Sequence, residues 1–372
     1  MLRRQQLRIS PGGLTVCGVG SLLALALLSF ELAHAEEVEP FRPAWWCPGA
    51  HLQTIWAGVL RPSPKVALTR APWELPDGDF LDVDELAASS GAPRVIVLHG
   101  LEGSSRSPQV LGFLREAHKR GWGGVAVNFR GCSGEPNRLR RSYHGGETGD
   151  LAWVIDRVRA QHPSSPILCV GFSLGGNVLL KYLGEQGEKL PEQVRAAAAI
   201  SAPFDLALSA HALEHGLSRV YGRRLVASLK RKTLQKLARY PDLVDANALQ
   251  AVRTVAEFDD LVTGPVHGFR NAADYWAASS SAAFLPRIRL PTLLINARDD
   301  PFLPAEALPV RAVSENSFLS AEFPSSGGHL GFLEGRWPSA PIAWAEVRAA
   351  EFLAQHAGNS GQIILHHDHR GA

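Results

Sequence analysis

The stretch GFSLGGNVLL, residues 171 to 180, decides the fold that this sequence predicts. It follows the apolar run PILCV and precedes a segment whose apolar residues recur at helical spacing. Ser173 therefore lies where a buried strand turns into a helix, between Gly171 and Gly175. In this context the pattern is typical of a sharp turn that exposes a nucleophilic serine at the carboxyl end of a strand. Such a serine needs further residues, which the rest of the chain has to supply.

The sequence around this turn alternates between strand and helix patterns. From Arg94 to about Pro203, short and nearly continuous apolar runs are separated by amphipathic helical patterns. This is typical of a mostly parallel sheet covered by helices on both faces. Upstream, PWELPDGDFLDVDEL predicts a hairpin with Asp77 and Gly78 in the turn, which adds antiparallel strands at one edge.

The alternation stops between about residues 206 and 285, where no strand pattern is convincing. It resumes with RLPTLLINARDDP, followed by a weak strand near SAEFPSS and a helix over IAWAEVRAAEFLAQHA. We therefore predict one α/β domain over residues 41–357, with a helical lid inserted at about 206–285. The insertion carries a basic cluster that is equally consistent with a solvated helix and with a membrane-surface contact. Its members are Arg219, Arg223, Arg224, Lys230, Arg231 and Lys232.

Composition excludes several classes of protein. The 372 residues are 45% hydrophobic and 20% charged, which is typical of a globular protein, and the formal net charge of +2 predicts no nucleic-acid partner. The four cysteines lack the paired spacing of a zinc site or a disulfide framework. Neither a metal nor another cofactor is predicted.

Both ends of the chain differ from the domain between them. Residues 1–35 combine a basic start, an uncharged apolar stretch from Ile9 to Phe30 and the small residues Ala33 and Ala35. This layout predicts a signal peptide, and the apolar stretch is also long enough for a membrane anchor. We therefore expect an exported or membrane-anchored protein, with a cytoplasmic protein as the alternative. Residues 358–372 predict a disordered tail.

Ser173 requires a base, because a serine hydroxyl is a weak nucleophile unless its proton is removed. The order expected in this kind of sheet is serine, acid, histidine. Asp299 and Asp300 follow a predicted strand, and His329 lies in a glycine-rich loop after the last strand. Counting from Pro291 and back from Pro304 favours Asp300 as the acid. Asp299 would then hydrogen-bond nearby backbone N–H groups, and Asp205, after an earlier strand, is a weaker competitor for the role of acid.

A developing oxyanion also needs backbone N–H donors. One is expected from Leu174, the residue after the nucleophile. The second is expected from Leu101, in the loop that follows the strand RVIVLHG. His99 belongs to this loop and precedes Ser173 in the chain, so we predict a structural role for it.

Six separated motifs together resemble the YheT-like branch of the α/β-hydrolases, also known as AB hydrolase family 4. The resemblance extends over nearly all of residues 41–355. It is carried by HLQTI in FRPAWWCPGAHLQTIWAGVLRP, HGLEGSSRSPQV, VNFRGCSGEPNRLRRSYHGGETGDL, GFSLGGN, AEFDDLVTGPVHGFRNAADYW, and NARDDPF with GGHLGF. The hydrophobic N-terminus departs from the bacterial members, which usually look cytosolic.

The resemblance implies an α/β-hydrolase fold and hydrolysis of carboxylic esters, with short- to medium-chain esters or acylglycerols as substrates. Ser173, Asp300 and His329 would form the catalytic triad, with an acyl-enzyme intermediate and no cofactor. Two alternatives remain open at this point. The same triad could transfer the acyl group to an alcohol, or the fold could serve as a non-catalytic ligand-binding scaffold. The partner in each case is a small ester or lipid.

Overall fold

The computed structural model describes residues 40–358. The predicted leader, residues 1–35, and all but the first residue of the predicted tail lie outside this range. Within it, no helix combines the length and the apolar character that crossing a membrane requires.

An eight-stranded sheet forms the centre of the domain, in the order β1-β2-β4-β3-β5-β6-β7-β8. Strands β3 to β8 run parallel, whereas β2 pairs antiparallel with both β1 and β4. The strands are β1 Thr69–Glu74, β2 Phe80–Leu86, β3 Arg94–Leu98, β4 Gly123–Val127, β5 Ile167–Phe172, β6 Val194–Ile200, β7 Thr292–Ile295 and β8 Leu319–Glu322. The predicted mostly parallel α/β sheet is confirmed.

The predicted hairpin forms the antiparallel edge. Its strands β1 and β2 pair with Glu74 opposite Phe80. Gly78 adopts a positive φ of 82° in the turn, a conformation that costs a glycine little because it has no Cβ. The hairpin at Asp77 and Gly78 is therefore also confirmed.

Twelve α-helical segments are present among residues 40–358. They are α1 Ala50–Ile55, α2 Pro108–Lys119, α3 Gly149–Gln161, α4 Leu174–Gln186, α5 Leu206–Ala212, α6 Ser218–Leu237, α7 Ala246–Ala251, α8 Val255–Phe258, α9 Gly264–Val266, α10 Ala272–Ser279, α11 Val310–Glu315 and α12 Trp344–His356. Two π-helical turns, Trp56–Leu60 and Asp259–Thr263, continue α1 and α8.

Helices cover both faces of the sheet because successive side chains of a strand point to opposite faces. In β3, Val95 and Val97 pack in a core cluster with residues of α2 and α12. Ile96 and Leu98 pack in a second cluster with residues of α3 and α4. Every residue of β3 and β5 is buried, which explains why their sequences lack polar alternation.

The segment between β6 and β7 contains helices and no strand, from α5 through α10 to a short 3-10 turn at Leu285–Arg287. It has a small apolar cluster of its own, which includes Leu213, Val226, Leu249 and Phe258. One sequence expectation was wrong in detail. Ile342–Ala343 does not begin the last helix but pairs as a short strand with Leu333–Glu334, labelled β10 and β9.

Candidate active site

The turn at Ser173 has the strained geometry that its sequence predicts. Ser173 lies between β5 and α4 with φ 51° and ψ −121°, outside the regions that L-residues usually occupy. A Cβ on Gly171 would lie 2.4 Å from the carbonyl oxygen of Gly175. A Cβ on Gly175 would lie 2.5 Å from the carbonyl oxygen of His99. Both contacts are with backbone atoms, so these two positions exclude any side chain.

A hydrogen-bonded chain joins the three predicted side chains. Ser173 Oγ lies 2.9 Å from His329 Nε2, and His329 Nδ1 lies 2.9 Å from Asp300 Oδ2 and 3.1 Å from Oδ1. The carboxylate can only accept, so the proton is assigned to Nδ1, which leaves Nε2 free to accept the serine proton. All three residues are buried. This arrangement can activate a serine hydroxyl for attack on a carbonyl carbon.

The loop of His329 is held by contacts that sequence reasoning missed. Thr54 Oγ1 accepts a hydrogen bond of 2.9 Å from the backbone N–H of His329, and Ser201 Oγ accepts one of 3.0 Å from Leu330. The ring of Phe302 stacks on the imidazole, with centroids 4.0 Å apart and planes 7° apart. Thr54 belongs to the HLQTI motif, so that motif was the available signal.

The two adjacent aspartates have different partners. Asp300 contacts His329 and also accepts a hydrogen bond of 2.8 Å from the N–H of Phe302. Asp299 Oδ1 accepts a hydrogen bond of 2.9 Å from the N–H of Gly328. Burial, and to a lesser degree the nearby Asp300 charge, raises the pKa of Asp299. Asp205 caps α5 by accepting from the N–H of Leu208. The structure therefore brings Asp300, and neither of the others, to His329.

His99 orients the loop that follows β3. Its Nε2 accepts a hydrogen bond of 3.1 Å from the N–H of Phe129. Nδ1 therefore carries the proton and donates a hydrogen bond of 2.7 Å to the carbonyl of Gly100. The N–H of Gly103 donates to the same carbonyl. In a trans peptide the carbonyl and the following N–H point in opposite directions, so anchoring Gly100 also sets the direction of the Leu101 N–H. Burial lowers the pKa of His99 to about 4, which keeps it neutral.

The predicted oxyanion donors are both available for a ligand. Leu174 is the first residue of α4, where a helix has no internal acceptor for its N–H. Among residues 40–358, no hydrogen bond takes up the N–H of Leu174 or of Leu101. The loop approaches the serine closely, because a Cβ on Gly100 would lie 3.0 Å from Ser173 Cβ.

A cavity of about 670 Å³ opens onto Ser173 and His329. Its walls come from the loop after β3 and from the helices between β6 and β7. The apolar lining includes Leu206, Leu213, Leu225, Leu229, Val255, Phe258, Val262, Val266 and Phe302. Such a lining favours an apolar substrate group placed next to the serine.

Two further histidines line the cavity but form no hydrogen bond with Ser173. His144 and His267 contact each other with centroids 4.5 Å apart. Burial lowers the pKa of His144 to about 3 and also lowers that of His267, so both are neutral near pH 7. His267 hydrogen-bonds the backbone of Thr263 and Ser142, which is a structural role.

No group of three or more histidine, cysteine or acidic side chains that could hold a metal ion occurs in the described part of the chain. Its three cysteines, Cys47, Cys132 and Cys169, are buried and free.

Similarity to known proteins identifies the family of this chain. A family model described as the alpha/beta hydrolase fold matches residues 93–335. The chain is 40% identical over 331 residues to an Escherichia coli (strain K12) protein named "Putative esterase YheT", which covers 88% of this chain and 95% of that relative. The chain is a YheT-like α/β-hydrolase. Its mostly parallel sheet with helices on both faces is the fold of that family.

This hydrolase is also similar to more distant relatives. It is 30% identical over 309 residues to "Phospholipase ABHD3" of Homo sapiens, covering 81% of the hydrolase and 75% of the relative. It is 31% identical over 274 residues to "Monoacylglycerol lipase" of Saccharomyces cerevisiae, covering 70% and 60%. Among solved structures, the Pyrococcus furiosus esterase Pf2001 superposes with a TM-score of 0.52 at 18% identity, covering 79% of the hydrolase and 92% of that chain, which supports the fold.

Proposed function

We propose that this hydrolase is a serine esterase that cleaves carboxylic esters through an acyl-enzyme intermediate. The observation that carries the proposal is the hydrogen-bonded chain from Asp300 through His329 to Ser173, at a serine held with a positive φ of 51°. In this role Ser173 is the nucleophile, His329 the general base and Asp300 the group that orients the imidazole and stabilises its cation.

The proposed reaction has two halves, acylation of Ser173 and hydrolysis of the acyl-enzyme. Ser173 Oγ bonds to the ester carbonyl carbon while its proton moves to His329 Nε2, and the carbonyl oxygen becomes an oxyanion facing the N–H groups of Leu101 and Leu174. Collapse breaks the bond to the alcohol, which leaves with the proton from Nε2. A water molecule then attacks the acyl carbonyl carbon while its proton moves to Nε2. Collapse breaks the bond between the acyl carbon and Oγ, Oγ takes the proton back from Nε2, and the acid leaves.

The substrate class is supported by the cavity and by the relatives. Proteins named esterase, monoacylglycerol lipase and phospholipase are among those the chain resembles. The apolar lining of the cavity suits an acyl chain, and its volume of about 670 Å³ accommodates a ligand of moderate size. We therefore propose short- to medium-chain esters or acylglycerols as substrates.

The decisive experiment is covalent labelling with a fluorophosphonate probe together with hydrolysis of p-nitrophenyl butyrate. We expect labelling at Ser173, and we expect Ser173→Ala to abolish labelling and to lower turnover by about 10⁴-fold or more. A folded Ser173→Ala protein that keeps normal turnover would overturn the assignment.

We also propose that part of helix α6 contacts a membrane surface. Arg219, Arg223 and Arg224 are exposed on this helix, beside the exposed apolar residues Leu217 and Val220. Arg231 of the basic cluster is also exposed. The two lysines of the cluster are half-buried, and both have partners: Lys230 donates to the carbonyls of Gln250 and Val252, and Lys232 contacts the loop after β3. Exposed basic and apolar side chains together suit a surface of anionic lipids.

For localisation, we propose that residues 1–35 direct the chain to or across a membrane. The support is the basic start with Arg3 and Arg4, the uncharged stretch from Ile9 to Phe30 and the small residues at Ala33 and Ala35.

A further inference from the structure

The turn that carries the proposed oxyanion donor Leu101 contains an unusual residue. The N–H of Gly103 donates 3.0 Å to the carbonyl of Gly100, so Leu101 and Glu102 occupy the two central positions. Glu102 has a positive φ of 57°, at a position where such turns prefer glycine or asparagine. A residue with a side chain is strained in this backbone conformation, which persists where the surroundings hold it.

Tyr143 holds Glu102 at two points. Its hydroxyl accepts a hydrogen bond of 2.8 Å from the backbone N–H of Glu102 and donates one of 2.9 Å to Glu102 Oε1. The phenol ring is fixed in turn by stacking on Phe129, with centroids 5.4 Å apart and planes 3° apart. Burial and the neighbouring Cys132 and Glu102 raise the pKa of Tyr143, so the hydroxyl stays protonated and can donate.

Lys232 reaches this turn from helix α6. Its Nζ lies 3.0 Å from Glu102 Oε1 and 3.2 Å from Cys132 Sγ. The Glu102 side chain is 4% exposed, and no other ion pair with it occurs in the described residues. The second carboxylate oxygen, Oε2, is buried and has no hydrogen-bond partner among residues 40–358. Burial lowers the pKa of Lys232, but Cys132 and Glu102 outweigh this and the net pKa is raised. Lys232 is therefore a cation paired with a buried carboxylate.

The position of this carboxylate matters because Glu102 lines the same cavity as Ser173. A buried negative charge next to the Leu101 donor would oppose the negative charge that develops on the oxyanion, since charges interact strongly where water is excluded. The ammonium of Lys232 compensates that charge. Lys232 belongs to helix α6 of the insertion and not to the sheet, so the compensation depends on the position of α6 relative to the turn.

We propose that Lys232 is a positioning residue that couples the inserted helix α6 to the oxyanion turn, by holding Glu102 and neutralising its charge. This inference rests on the proposed esterase function and adds a requirement to it. The site reaches full activity when α6 is seated on Glu102, and a displacement of α6 leaves the Ser173–His329–Asp300 chain intact while weakening oxyanion stabilisation.

The test compares kcat and KM for p-nitrophenyl butyrate in variants of the full chain. Lys232→Met keeps most of the side-chain volume but leaves the buried Glu102 charge without its cation, although Tyr143 still donates to Oε1. We expect kcat to fall at least about tenfold with KM nearly unchanged, since loss of one oxyanion donor costs about 10²- to 10³-fold. Lys232→Arg should retain most of the activity, because the charge remains.

A double variant separates charge compensation from packing. Lys232→Met combined with Glu102→Gln removes both charges, and the glutamine oxygen can still accept from Tyr143. We expect this double variant to recover most of the kcat lost in Lys232→Met, a coupling that independent structural effects would not produce. The matched control is Lys230→Met on the same helix, whose lysine bonds the carbonyls of Gln250 and Val252. It should keep wild-type kcat.

Two results would overturn the proposal. One is normal kcat in Lys232→Met, and the other is a double variant no more active than Lys232→Met. If Lys232→Met does not fold, the kcat values of Lys232→Arg and of the double variant test the proposal instead. Charge compensation predicts that both variants keep most of the activity, so a loss of kcat in both would contradict it. Fluorophosphonate labelling of the wild type separates this test from the parent proposal. An unlabelled, inactive wild type refutes the esterase, whereas a labelled wild type with unaffected variants refutes the coupling alone.

Discussion

Asp299 and Asp300 are neighbours in the chain, yet the structure gives them separate tasks. Asp300 accepts from His329, whereas Asp299 accepts from the N–H of Gly328. We expect Asp300→Asn to lower kcat by about 10³- to 10⁴-fold, because an amide no longer favours the imidazole tautomer that can accept the serine proton. The measurement is steady-state hydrolysis of a p-nitrophenyl ester.

Asp299→Asn serves as the matched control for that substitution. It should leave turnover near the wild-type value and change stability by about 1 kcal/mol or less, since the asparagine oxygen can still accept from Gly328 and burial disfavours the charge that is removed. If turnover collapses in Asp299→Asn and survives in Asp300→Asn, the two roles must be exchanged.

A second prediction at the scale of one residue concerns Asp259. Burial raises its pKa to about 6, against the opposing effect of hydrogen bonds from Thr263 and Trp276. The folded protein therefore binds this proton more tightly than the unfolded chain does, so the stability from this group is present below about pH 4 and lost as the pH rises through 6. Relative to wild type, Asp259→Asn should gain on the order of 2 kcal/mol in unfolding free energy between pH 4 and pH 7. Urea denaturation at several pH values measures it, and a difference that stays constant with pH contradicts the prediction.

At the scale of an element, helix α6 has an inner and an outer side. Lys232 is directed to Glu102, whereas Arg219, Arg223 and Arg224 are exposed. If the outer side contacts anionic lipids, changing these three arginines to glutamate should weaken vesicle binding at least about 100-fold at low salt, since each basic residue contributes about 1 kcal/mol near such a surface. Hydrolysis of soluble esters should not change.

Co-sedimentation with phosphatidylglycerol vesicles measures this effect. The matched control changes three exposed basic residues outside the insertion, Lys65, Lys189 and Arg195, to glutamate. Equal vesicle binding by the wild type and the α6 variant would favour a solvated basic helix.

At the scale of the whole molecule, the prediction concerns the processing of residues 1–35. If they act as a signal peptide, the mature protein begins near Glu36, and if they act as an anchor, it remains in the membrane fraction. Mass spectrometry of the native N-terminus combined with cell fractionation decides between them. An intact Met1 in the soluble cytosol would contradict both forms of the proposal.

Local signals were enough to predict the sheet, the turn at Ser173 and the order of the three site residues. Buried strands appear as short apolar runs, and a nucleophile turn requires glycines at fixed spacing, because a Cβ at Gly171 or Gly175 would collide with the backbone. The choice of Asp300 over Asp299 also followed from spacing along the chain, and the geometry agrees with it.

Contacts between distant segments were decided by the tertiary structure alone. Ser173 and His329 are 156 residues apart. The side chains that hold the histidine loop come from two other segments, Thr54 from α1 and Ser201 from the residue after β6. Lys232 is part of a basic run in the sequence, but it meets Glu102, 130 residues away, because α6 packs with one side against the turn after β3. Periodicity shows which positions of a helix are buried. The surface that buries them, and the partner each charge finds there, depend on how the whole chain packs.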